Sequence, residues 1–260
     1  MMHFDSRPLL IYFAVKYKGD YEKIMMALEL KEIPPMKEVT KANESLKCKV
    51  LTILDYDYPL RLKQTIRPPI VLFYYGDLSL LENEQTLAVV GSREYNEYGK
   101  YCTEKIVSEI AKGRVIISGL AKGIDALAHE CAIKNGGRTI AVLGSGIDNC
   151  WPKENQELYE EIKKNHLVIS EYPGMSAPDK KNFPMRNRIV VGLSNGVYVP
   201  QINSHMSGTM ISFVLASEMN KDVFVAPCPL DSDTANNKLI DEGASITIDA
   251  QTILADLRWR

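Results

Sequence analysis

The sequence contains no CxxC pair. Its five cysteines, Cys48, Cys102, Cys131, Cys150 and Cys228, are scattered. With no secretory signal, they read as reduced thiols of a cytosolic protein. There is also no long hydrophobic run. The apolar stretch inside MMHFDSRPLLIYFAVKYKGD is short, carries charges at both ends and lacks a small-residue cleavage site. That excludes a membrane span and favours a helix packed on the body of the protein. Positive charge is not in excess: 31 Lys and Arg stand against 33 Asp and Glu, for a net charge of −2. A bulk nucleic-acid binder usually runs basic, so any polyanion site here must be a local patch.

Catalytic motifs are missing as well. No Gly-Lys-Ser/Thr closes a Walker A loop, and there is no GxGxxG, HExxH or GxSxG. No cysteine–histidine pairing suggests a nucleophile. The expectation is a non-catalytic protein with no cofactor and no metal. Internal repeats and low-complexity segments are also absent.

What is present is a regular alternation. At 260 residues and 45% apolar content, the chain suits one large α/β domain with a small appendage, or two domains. Residues 1–45 read as a small helical segment, with Asp20 as an N-cap and the prolines at 33–35 as a stop. Strands are expected at 49–54 and 70–77. From Thr86 the pattern becomes strand, loop, helix: strands at 86–90, 115–118, 139–144, 167–170, 196–200, 222–227 and 245–249. Helices are expected at 100–111, 124–135, 154–164, from about 185, at 207–220 and at 237–242. Continuous apolar strands alternating with helices predict a mostly parallel, Rossmann-like sheet covered on both faces. Ligands then bind beyond the carboxyl ends of the strands.

The loops at those ends have the composition of anion sites. Gly91-Ser92-Arg93 combines close backbone approach, hydroxyl and amide donors, and a permanent forked cation. Ser118 to Asp125 (SGLAKGID) places Gly119, Lys122 and Gly123 between a strand and a helix start. Asp125 reads as a helix cap and His129 as structural. Ser207-Gly208-Thr209 opens another helix whose amides suit a phosphate. The most telling stretch is KKNFPMRNRIVVGLS at 180–194. Lys180, Lys181, Arg186 and Arg188 flank Phe183, and Asn187 lies between the arginines. Cations suit phosphates, and an aromatic face suits an unpaired base.

These loops together resemble the DprA/Smf DNA-processing family of bacteria. The matching text is AVVGSR (88–93), SGLAKGIDALAH (118–129), TIAVLGSGID (139–148), WPKENQELYEEI (151–162), ISEYPG (169–174), FPMRNRIVVGLS (183–194) and LIDEGA (239–244). The resemblance covers roughly residues 46–250, read as one Rossmann-like DNA-processing domain (46–260). It implies an extended Rossmann-like fold and single-stranded DNA binding during natural transformation. It further implies protection of that DNA, loading of RecA recombinase, and often a homodimer. It places Arg93, Lys180 and Phe183 in the DNA pocket, with a phosphate on Ser92, Arg93 and the 119–123 loop.

Two loops depart from the family pattern. The text after the strand at 196–200 is VPQINSHMSGT rather than one with an acid, and Pro227-Cys228-Pro229 replaces Pro-Gly. The winged-helix domain that many members add at the C-terminus is not expected here. The alternatives are a nucleotide-ligand sensor or an enzyme like the nucleoside-monophosphate phosphoribohydrolases, using the same crevice. The latter carry PGGxGTxxE, of which this chain has only the SGT of 207–209.

Overall fold

The computed structural model describes residues 6–204, 207–232 and 234–257. Three short helices come first: α1 (Ser6–Lys16), α2 (Tyr21–Glu29) and α3 (Met36–Glu44). Asp20 caps α2 by accepting from Lys23 N at 3.3 Å. Then follow β1 (Lys49–Thr52), α4 (Leu60–Lys63) and β2 (Val71–Gly76). The alternating part runs through β3 (Thr86–Val89), α5 (Glu97–Ile110), β4 (Val115–Ser118), α6 (Ile124–Lys134) and β5 (Arg138–Leu143). It continues with α7 (Gln156–Asn165), β6 (Leu167–Ser170), α8 (Asn182–Leu193), β7 (Gly196–Val199), α9 (Gly208–Glu218) and β8 (Asp222–Val225). The described chain closes with α10 (Asn236–Asp241), β9 (Ser245–Ile246) and α11 (Ala250–Asp256).

The strands form a single sheet in the order β1-β2-β6-β5-β4-β3-β7-β8-β9. From β6 to β9 every pairing is parallel, whereas β1 and β2 add antiparallel at one edge. The fold is thus the mostly parallel α/β architecture read from the sequence. Alternation along each strand divides the core. Ala88, Ile140 and Val142 face one layer with residues of α8 and α9. On the opposite face, Leu87 and Val89 meet α5, α6 and α11, while Ala141 and Leu143 meet α7 and the N-terminal helices. Phe13 of α1 and Phe73 of β2 are fully buried in that last cluster. Burying each such ring stabilises by roughly 1.5–3 kcal/mol, so the N-terminal helices share a core with the sheet edge.

Three boundaries differ from the sequence reading. α5 starts at Glu97, because Asn96 accepts from Gly99 N at 2.9 Å and caps the helix earlier than Lys100. α8 starts at Asn182, so Pro184 sits in its first turn, where its missing N–H costs no helical hydrogen bond. Of the expected 245–249 strand only Ser245–Ile246 pairs; Asp249 instead caps α11 through Thr252 N. Among the described residues, no helix is long and apolar enough to cross a membrane.

Candidate nucleic-acid interface

The chain leaves β3 towards β4 on one side, while β7 joins β3 on the other. This reversal of strand order opens a crevice beyond the carboxyl ends of β3 and β7, where open α/β sheets bind ligands. A cavity of about 420 Å³ lies there, lined by the 90–94 loop, Ala121, Asp125, the start of α8, Asn203, Ser204 and the first turns of α9.

The GSR loop is fixed by its neighbours. A side chain at Gly91 would lie 2.7 Å from Ile124, and one at Gly123 would run into the carbonyls of Ser92 and Arg93. Gly123 also has φ +89, which L side chains rarely adopt. The two loops therefore pack backbone to backbone, with Ile124 N donating to Ser92 O at 3.1 Å. Ser92 is buried. Its amide donates to Gln201 O at 2.9 Å, and its hydroxyl accepts from Asn203 N at 2.8 Å. Gln201 Oε1 in turn accepts from Asn96 N at 3.0 Å. The altered text after β7 is thus built into the wall of the crevice; its His205 and Met206 lie outside the described residues.

The remaining donors have different fates. Arg93 is exposed, and its guanidinium carbon lies 5.9 Å from the centre of the half-exposed Phe183 ring. The back of that ring rests on Gly144, where a Cβ would come within 2.7 Å. Arg186 is buried at the base of the crevice, on the Cα of Gly119. Its Nη1 donates to Val142 O at 2.6 Å and its Nε has no protein acceptor. Burial pulls its pKa down, and the carboxylate of Asp125 opposes that most. Burial likewise pushes the Asp125 carboxyl up, against the pull of Arg186 and then of the loop amides. Asn187 Nδ2 donates to Gly208 O at 3.1 Å and ties α8 to α9. Among the described residues, the hydroxyls of Ser207 and Ser212, in the first turns of α9, are buried without a partner. Three unpartnered polar atoms (Arg186 Nε, Ser207 Oγ and Ser212 Oγ) therefore belong to residues that line this one cavity. Beside them lies a helix N-terminus, where an anion is favoured.

Of the residues singled out from sequence, Gly91, Ser92, Arg93, Phe183, Arg186, Asn187, Ser207, Gly208 and Thr209 line this crevice. The others do not. Ser118 and Gly119 are buried behind it. Ser118 donates to Val89 O, and the amides of Gly119 and Ala121 donate to Asp125 Oδ2 at 3.2 and 3.4 Å. The 118–125 loop thus carries its own anion, because Asp125 caps the loop amides rather than the helix. Lys122 is exposed outside the lining, and Gly123 serves packing. Lys180, Lys181 and Arg188 line a second cavity on the other side of α8. There Arg188 is buried and its Nη2 donates to Glu171 at 2.6 Å. His129 is structural: its Nδ1 donates to Thr139 Oγ1, which donates onward to Ile116 O. Burial first, then the charge of Arg186, lowers its pKa to about 3, so the ring stays neutral. Ser212 and Asn203 were not anticipated. Ser212 lies one helical turn beyond Thr209, a spacing visible in the sequence. Asn203 lies just beyond the carboxyl end of a strand next to the switch.

A sequence model described as DNA recombination-mediator protein A matches residues 49–258. The chain belongs to the DprA/Smf family. It is 39% identical over 230 residues to the DNA processing protein DprA of Bacillus subtilis, covering 87% of this chain and 77% of that one. To the Streptococcus pneumoniae DprA it is 41% identical over 210 residues, covering 80% and 74%. Among solved structures, the X-ray structure of the Streptococcus pneumoniae DprA superposes with a TM-score of 0.84 at 32% identity, covering all of both chains. The Helicobacter pylori DprA, described for its single-stranded DNA binding mode, gives 0.72 at 33% identity over 82% of this chain and 96% of that one.

Proposed function

We propose that this DprA/Smf family member is a non-catalytic single-stranded DNA binder, and that the crevice between β3 and β7 takes a phosphate of the strand. The observation that carries this reading is that one cavity at the switch point is lined by an exposed arginine, a helix N-terminus and three residues that each hold a buried, unpartnered polar atom. A phosphate oxygen is the acceptor such donors lack. Phe183 is backed by Gly144, and its outer face, with Arg93 5.9 Å from the ring centre, is the one on which an unpaired base stacks once that guanidinium turns to the phosphate. The crevice is too narrow in cations to hold a duplex by charge alone, which fits a protein of net charge −2. The buried carboxylate of the crevice, Asp125, accepts from the amides of Gly119 and Ala121, which favours binding over acid–base chemistry. The relatives are DNA processing proteins, and one is described for single-stranded DNA binding. By that family membership the chain acts in DNA processing during natural transformation. Protection of the strand, handing it to RecA, and function as a homodimer extend the same reading.

Phe183→Ala tests the stacking face. It is expected to weaken binding of a labelled oligo-dT by about 1–3 kcal/mol. Wild-type affinity in this variant would remove the ring from the interface.

A further inference from the structure

The second cavity is larger than the crevice, about 900 Å³, and lies between the α1–α2 turn and the 171–188 segment. Small-molecule sites occupy roughly 300–1,000 Å³. At its floor Arg188 is only 3% exposed, and its Nε and Nη1 have no protein acceptor; a single bond from Nη2 to Glu171 holds it. At the rim Lys18 and Lys180 are exposed and carry no ion pair among the described residues. Counting all lining residues, six cations (Lys18, Lys23, Arg67, Lys180, Lys181, Arg188) face four acids (Asp20, Glu22, Glu171, Asp179). The surplus is positive in a protein whose overall charge is negative. Tyr17 and Tyr21 supply aromatic faces.

The wall between the two cavities is the first half of α8. Asn182, Met185 and Arg188 line the larger cavity, while Phe183, Arg186 and Asn187 line the crevice. Lys181 and Lys180 stand two and three residues before Phe183, on the path of a chain leaving the crevice past that ring. We propose that this cavity is a second seat for unpaired nucleotides, and that the phosphodiester chain crosses the N-terminus of α8 from the crevice into it. The three N-terminal helices are then part of the nucleic-acid interface rather than packing alone. This inference rests on the single-strand reading of the crevice. The same chemistry would also accept a free dinucleotide.

The test compares labelled oligo-dT of about four and about sixteen nucleotides, the range of site sizes seen for single-strand binding folds. It uses wild type and the double variant Lys18→Gln/Arg67→Gln. Both side chains are exposed, so the variant should keep the wild-type melting temperature. The short strand is expected to bind both proteins alike. The long strand is expected to bind wild type more tightly, and the variant is expected to lose that gain, with a salt slope lower by roughly 1.4, two single-strand phosphate contacts. Equal long-strand affinity and slope in both proteins would overturn the second seat while leaving the crevice standing. Should wild type bind neither strand, the single-strand reading itself fails. The cavity is then judged with the dinucleotide pdTpdT: a rise in melting temperature that the variant lacks keeps it as a nucleotide seat, and no rise overturns it.

Discussion

Arg186→Ala is expected to destabilise the fold by about 1–3 kcal/mol, the cost of taking a hydrogen-bonded donor away from buried polar groups. Arg186 is 5% exposed, spans from α8 to the β5 carbonyl of Val142, and is the strongest influence holding the Asp125 carboxyl down. Its loss removes the donor to Val142 O and the cation that most favours an ionised Asp125, which then keeps the amides of Gly119 and Ala121. Urea denaturation should show a lower midpoint with an unchanged slope. The contrast with Arg93→Ala is the informative part. Arg93 is exposed, so that variant should keep its stability and lose only binding. A fully stable Arg186→Ala protein would mean that Asp125 is solvated and that the base of the crevice is more open than described.

Glu171→Leu is expected to cost more, about 3–5 kcal/mol, on the far side of α8, because it breaks a buried ion pair. Glu171 and Arg188 have side chains 8% and 4% exposed, and burial pushes the Glu171 carboxyl up against the pull of Arg188. Two of the guanidinium nitrogens already lack acceptors, and the substitution removes the only acceptor that Nη2 has. Glu171→Leu/Arg188→Met should recover most of the loss, because an apolar pair of similar volume avoids desolvating two charges. Additive losses in the double variant, measured by the same denaturation cycle, would show that the two charges act independently. The pair also explains why Arg188 belongs to the core of its cavity and not to the crevice.

The contrast between Arg186 and Arg188 shows how far the sequence reaches. The sheet was legible because its strands are continuous apolar runs, and the ligand end followed from parallel topology alone. Arg93, Phe183 and the α9 start were legible because they stand at carboxyl ends of strands. The cationic run of 180–188 reads as one patch only while its first half is taken for a loop. Arg186 and Arg188 already fall in the helix expected from about 185, and in α8, which begins at Asn182, residues two apart point to different sides, so the two must part. The reason the helix starts there is local but subtle: Pro184 lies within the first turn, where it is tolerated. The fate of the 118–125 loop was less accessible. Its composition is that of an anion site, yet Asp125 folds back on the amides of Gly119 and Ala121. That closure depends on the turn through Leu120 and Gly123, both at positive φ, and on Ser92 packing from another strand end. The role of Gln201 belongs to the same class. A single polar residue after β7 bonds the α5 start and the GSR loop together, a contact made between segments about a hundred residues apart.

The central claim is that the crevice between β3 and β7 holds a phosphate of single-stranded DNA. Its most direct test is fluorescence anisotropy of a labelled oligo-dT across a salt series, with matched duplex as competitor, on wild type and Arg93→Ala. Wild type should bind with a salt-sensitive affinity that duplex competes for poorly. Arg93→Ala should weaken binding by about 1.5–3 kcal/mol, the range for hydrogen bonds to charged groups, and lower the salt slope by roughly 0.7, one single-strand phosphate contact. An Arg93→Ala protein with wild-type affinity and slope, or a wild type that ignores single strands at low salt, would contradict the account.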